Sequence, residues 1–141
     1  MEGYIKDTSG KPLAGVTLDI WEDAPNGLYE NHDPGQPDYN LRGRFETDDN
    51  GHYSFRAIRP VPYPGRTPHI HMAVSLPGQP RFVTQCYIRG EPLNQRDMLL
   101  NAIRDPALRE LLIVPFVPVP GASPPEQLAR FDLVLGLTPV S

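Results

Sequence analysis

The sequence predicts an all-β fold, an antiparallel β-sandwich with one or two short helices, and three observations lead there. Eighteen prolines and twelve glycines cut the 141 residues into segments too short for long helices. Several segments alternate apolar and polar residues with a period of two, placing Val16, Leu18 and Ile20 on one face and Tyr53, Phe55 and Ala57 on one face of another. The joints between segments carry turn chemistry. Residues 8–15, TSGKPLAG, form a Gly/Pro connection, and Asn50-Gly51 suits a tight turn that needs positive φ.

In chain order, the expected strands are residues 3–7, 15–22, 52–58, 69–76, 81–88, 111–119 and 128–137. Helix is expected only within 94–112, where Asp105 followed by Pro106 reads as an N-cap and first helical position and so splits the segment into two short helices. Between residues 26 and 44 lies a polar stretch rich in proline and glycine, and a loop of that length in a compact domain is usually either functional or disordered. The length fits a single domain, residues 1–141.

Charge and cysteine content exclude some classes of partner. Thirteen Lys and Arg against seventeen Asp and Glu give a formal charge of −4, which disfavours nucleic acid and anionic membrane as partners. Arg42, Arg44, Arg56, Arg59 and Arg66 nevertheless concentrate in the middle of the chain, so a locally positive pocket is compatible with an acidic whole. The one cysteine, Cys86, sits in an apolar strand, rules out an internal disulfide and reads as core. No apolar run has membrane-spanning length and no signal peptide is evident, so a cytoplasmic protein is expected. Exposed strand edges in a short sandwich favour a homo-oligomer.

The chemistry centres on residues 63–74, YPGRTPHIHMAV. On a strand, His69 and His71 project from one face about 6.6 to 7 Å apart at Cα, and two imidazoles so placed can share one ion. The bland alternative is a strand with two polar residues on its solvent face. His32 and His52 stand in turn-like sequence and read as solvated. The oxygen donors in suggestive places are tyrosines, Tyr63 just before the histidines and Tyr29 in the long loop. A phenol of ordinary pKa near 10 binds a metal at neutral pH only if the ion is strongly Lewis acidic. Two tyrosinates with two imidazoles would therefore favour iron(III) over zinc or iron(II). Spacing alone leaves open that both tyrosines merely pack over a sheet edge.

Residues 10–29, then 38–72, then 82–91, carry W-x-A/D-x-x-x-G-x-Y, P-Y-P and R-x-x-H-x-H in that order. With these motifs the chain resembles the intradiol ring-cleavage dioxygenases, in particular their protocatechuate 3,4-dioxygenase branch, over nearly its whole length. The resemblance implies a prealbumin-like β-sandwich holding non-haem iron(III) on Tyr29, Tyr63, His69, His71 and a solvent hydroxide. It implies a catechol-type substrate cleaved with O2 between its two hydroxyl-bearing carbons to a muconate-type dicarboxylate. By the same matching, Tyr63 is the tyrosine displaced as the catechol binds, Arg66 lies over the substrate ring and Gln85 assists it. A short segment between Tyr63 and His69, and the lack of the helical N-terminal domain that common members carry, imply an open pocket. Carboxylate-bearing catechols would be favoured by the arginines unless Glu46, Asp48 and Asp49 pair with them, and Arg66 could instead form a surface salt bridge with Glu91.

Two other readings remain open. A non-catalytic prealbumin-like or carboxypeptidase-regulatory-like module would share residues 10–20 and 47–58 but has no use for P-Y-P beside R-x-x-H-x-H. A cupin-type zinc or iron(II) enzyme would need a further carboxylate and histidine at cupin spacing, which the sequence does not offer.

Overall fold

Alternation along the second strand organises the architecture, because its apolar side chains need a partner face and find one in the strand that carries the histidines. The computed structural model describes residues 1–22, 42–57, 59, 60, 62, 65–123 and 126–140. Its strands are β1 (Glu2–Lys6), β2 (Thr17–Glu22), β3 (Arg42–Glu46), β4 (His52–Ser54), β5 (His69–Ser75), β6 (Phe82–Ile88), β7 (Ile113–Val114), β8 (Val117–Pro118), β9 (Gln127–Leu128) and β10 (Leu133–Val134). A five-stranded sheet has the order β3-β2-β5-β6-β7, a three-stranded sheet the order β10-β1-β4, and β8 pairs with β9.

The two larger sheets share one core. Leu18 and Ile20 of β2 lie opposite Val74 and Met72 of β5. They join Ile70, Cys86, Ile5, Tyr53, Phe131 and Leu133 in a single buried cluster. Cys86 is fully buried, as its apolar surroundings in the sequence predict.

The sandwich is antiparallel as expected, with parallel pairing at two places among the described residues. β1 pairs with β10 in parallel, and so does β6 with β7. A parallel neighbour requires a long crossover, and residues 89–112 supply one. They hold a 3-10 helix (Pro92–Arg96) and the helices α1 (Met98–Asn101) and α2 (Pro106–Glu110). The break at Asp105-Pro106 is as expected, with the Asp105 carboxylate accepting from the Ala107 N–H at 2.9 Å. A second break was not anticipated. Asp97 caps α1 by accepting from the Leu100 N–H at 2.9 Å and so separates it from the 3-10 helix.

Two strand boundaries also change. The stretches read as strands at 111–119 and 128–137 are each broken into two-residue pieces, with Pro115 between β7 and β8. Conversely, β3 lies partly in the stretch read as loop. Its sequence RGRFE has one apolar residue, yet Phe45 and Gly43 face Leu18 and Ile20 of β2. The Phe45 ring folds over Gly43 so closely that a Cβ there would meet it at 2.7 Å. The aromatic ring supplies the packing that the glycine lacks. No helix among the described residues is long and apolar enough to cross a membrane.

Candidate metal centre

The face of the five-stranded sheet turned away from the core carries the polar residues. Strand alternation puts Ile70, Met72 and Val74 into the core and His69 and His71 on the other face. Register then chooses their neighbours. His71 stands between Trp21 of β2 and Gln85 of β6, and His69 stands beside Tyr87. The Trp21 and His71 rings stack at 5.0 Å between centroids with planes 2° apart.

The bland reading of a solvent-facing histidine pair fails on burial. His69 is fully buried and His71 half-buried. His69 Nδ1 lies 2.7 Å from the Thr67 carbonyl oxygen, which can only accept, so Nδ1 carries the proton and Nε2 the lone pair. That Nε2 lies 3.0 Å from His71 Nε2. Burial, the largest cause, pushes the pKa of His69 down to about 4 and that of His71 to about 3, so both rings are neutral at pH 7.

Whether this pair suits a metal ion can be judged from its nitrogens. Imidazole–metal bonds of about 2.1 Å meeting at a right angle separate the two nitrogens by about 3.0 Å. The observed separation of 3.0 Å fits two adjacent coordination positions. A metal-binding histidine usually has its other ring N–H held by an oxygen acceptor, as the Thr67 carbonyl holds Nδ1 of His69. Among the described residues no group of three His, Cys, Asp or Glu side chains converges, so the described part of the site offers two neutral nitrogens and no carboxylate. Tyr29, Tyr63 and His32 lie outside the described residues.

Arg66 adjoins the pair and is held from two sides. Its Nε donates to Asp97 Oδ2 at 2.8 Å, while Nη2 donates to Gln85 Oε1 and, at 3.2 Å, to the Tyr87 hydroxyl. The Tyr87 hydroxyl in turn donates to Gln85 Oε1 at 2.7 Å. The carboxylate partner of Arg66 is thus the buried Asp97 rather than Glu91 at the surface, and only 15% of the Arg66 side chain is exposed. The Asp97 pKa is lowered: burial opposes this, but hydrogen bonds from Arg66 and from the Leu100 and Thr67 N–H groups prevail.

Three of the other arginines are engaged elsewhere. Arg44 pairs with Asp19 at 2.8 Å, Arg56 with Glu126 at 3.7 Å, and Arg59 donates to Gln127. Glu46, Asp48 and Asp49 are therefore not the acids that engage Arg44, Arg56 or Arg66. His52, read as solvated, is half-buried between Glu2 at 3.6 Å and Asp48 at 4.0 Å.

Sequence reasoning reached His69, His71, Arg66 and Gln85 but missed Asp97, Tyr87 and Trp21. An aspartate directly before the apolar run Met98-Leu99-Leu100 was the available N-cap signal for Asp97. Trp21 stood in the sequence as the first residue of W-x-A/D-x-x-x-G-x-Y, but its place beside His71, like that of Tyr87 beside His69, follows only from the register.

The β-sandwich thus brings two neutral imidazole nitrogens to 3.0 Å of each other beside a braced arginine, a donor pair that fits a metal ion. Residues 1–136 match the family model described as Dioxygenase. The chain belongs to the intradiol ring-cleavage dioxygenase family. It is 36% identical over 124 residues to a catechol 1,2-dioxygenase of Candida albicans, covering 74% of this chain and 41% of that protein. Among solved structures it resembles the dioxygenase domain of a dioxygenase–carbohydrate-binding fusion protein from Streptomyces sp. SirexAA-E, at 35% identity and a TM-score of 0.73, covering 94% of this chain and 75% of that one. It also resembles 3-chlorocatechol 1,2-dioxygenase of Rhodococcus opacus, at 26% identity and a TM-score of 0.77, covering 93% and 56%. The chain spans about half the length of the curated relatives it matches, at 41%, 42% and 57% for three of them.

Proposed function

We propose that the protein is a non-haem iron(III) intradiol dioxygenase that cleaves a catechol-type ring with O2 between its hydroxyl-bearing carbons. The observation that carries this reading is the buried, neutral pair of imidazole nitrogens 3.0 Å apart, in a chain of this family. His69 and His71 would hold the ion together with Tyr29 and Tyr63, a hard, oxygen-rich donor set that suits ferric iron. Bound there, the ion supplies a Lewis-acidic site that favours the deprotonated catechol and makes its ring electron-rich toward O2.

The residues of the chain do the rest. Tyr63, held as a phenolate, would accept one catechol proton at Oη and become a neutral phenol. Arg66 holds a permanent charge beside the ring and stabilises negative charge that develops on it. Gln85 and Tyr87 hold one edge of that guanidinium, as their contacts with Nη2 support. The non-catalytic sandwich alternative gives no reason to bury two neutral histidines with their nitrogens converging.

The relatives are named for catechol, chlorocatechol and hydroxyquinol. Since Arg44 and Arg56 are engaged by Asp19 and Glu126, a substrate carboxylate is not what the surroundings favour, and we place catechols without one ahead of protocatechuate. We also propose a cytoplasmic homo-oligomer, checked by light scattering and by fractionation of the cells that make it.

The test is optical and then kinetic. Iron-loaded protein is expected to be reddish, to change colour when a catechol is added without oxygen, and to take up oxygen with a catechol panel. A colourless protein that takes up no iron overturns the reading.

A further inference from the structure

We propose that Asp97 is a positioning residue that fixes the plane of the Arg66 guanidinium beside the metal site; the proposal rests on the reading of that site given above. The Asp97 side chain is fully buried, 0% exposed, and accepts from three donors. Oδ2 takes Arg66 Nε at 2.8 Å and the Thr67 N–H at 3.0 Å, and Oδ1 takes the Leu100 N–H at 2.9 Å. Capping α1 needs only the last of these, and serine or asparagine would serve as well. A buried ion pair is seldom a net gain over uncharged packing, so the cap does not account for a carboxylate here.

The geometry does account for it. A guanidinium is planar, and contacts on two of its edges leave it one orientation. Gln85 and Tyr87 on β6 take Nη2, and Asp97 at the head of α1 takes Nε. The same Oδ2 holds the Thr67 N–H, and the Thr67 carbonyl sets the tautomer of His69. Thr67 Oγ1 donates to Asn94 Oδ1 at 2.7 Å, a second tie between that segment and the crossover. One carboxylate thus references both the arginine and the segment that leads into the histidine pair.

The discriminating variant is Asp97→Ser, which caps a helix well but is too short to reach Arg66 Nε. Asp97→Asn is the second, since its one oxygen can keep the cap while its NH2 faces Arg66. Both are expected to take up iron and show the colour of the wild type, to bind catechol with little change in KM, and to lose about a hundredfold in kcat. Arg66→Ala combined with Asp97→Ser is expected to be no slower than Arg66→Ala alone. In metal-free protein, the Arg66 Nε–H, followed by 15N NMR, exchanges slowly in the wild type and fast in both variants. Asp105→Ala, which removes the cap of α2, leaves kcat unchanged. Wild-type turnover in both Asp97 variants, or losses that multiply in the double variant, overturns the proposal. Failure of the wild type to consume oxygen overturns the dioxygenase reading instead, and the Nε–H exchange then decides the role of Asp97: equal exchange in wild type and variants refutes it.

Discussion

The two faces of β5 show how one strand divides stability from chemistry. Ile70, Met72 and Val74 enter an apolar core where any side chain of similar volume would serve. His69 and His71, on the other face, are also withdrawn from water, but each polar atom there depends on a particular partner. Burial on the first face rewards size, and on the second it rewards identity.

Substitutions that treat the two faces alike would break this division. The largest effect is expected from His71→Ala, which should abolish iron binding and its visible absorption while leaving a cooperatively melting protein. Met72→Ala on the core face should show the reverse, losing about 2–5 kcal/mol of stability by denaturant titration while the folded fraction binds iron normally. Iron loss in the second variant, or collapse of the fold in the first, would show that the faces are not separable.

Acid should distinguish them as well. His69 and His71 have folded pKa values near 4 and 3 against an unfolded value of 6.5, so the unfolded state binds more protons in between. The contribution is fully present above pH 6.5 and is lost as pH falls through the folded values. Metal-free protein should lose up to about 1.4 kcal/mol per pH unit for each histidine in that window. Thermal melting from pH 7 to pH 4 checks this, and His71→Ala should flatten the slope. The smallest effect is expected from Gln85→Leu, which removes the acceptor shared by Arg66 and Tyr87 and should cost about 1–3 kcal/mol, with slower oxygen uptake at unchanged colour.

What the sequence disclosed follows the same division. Alternation revealed β2 and β4, because period two is a local property of the chain. The histidine pair and Arg66 were legible as a motif, and Gln85 through the family resemblance. Asp97 and Tyr87 were not, since their roles come from a crossover and a register that join distant segments. β3 escaped because its packing depends on Phe45 covering Gly43, so a hydrophobic pattern has almost nothing to register. Of the two C-terminal apolar runs, the first is longer than its strands because Pro115 and Pro118 interrupt it.

The row formed by Trp21, His71 and Gln85 runs across three strands and exists only in one alignment of β2, β5 and β6. Sliding β6 by one residue along β5 would bring Cys86 or Thr84 opposite His71 and turn Gln85 toward the core. The arrangement is therefore a vernier for the sheet: a slip of one mark would misplace Gln85 and also carry the core-facing side chains of β6 to the other face, so the same alignment that the core enforces sets the row beside His71.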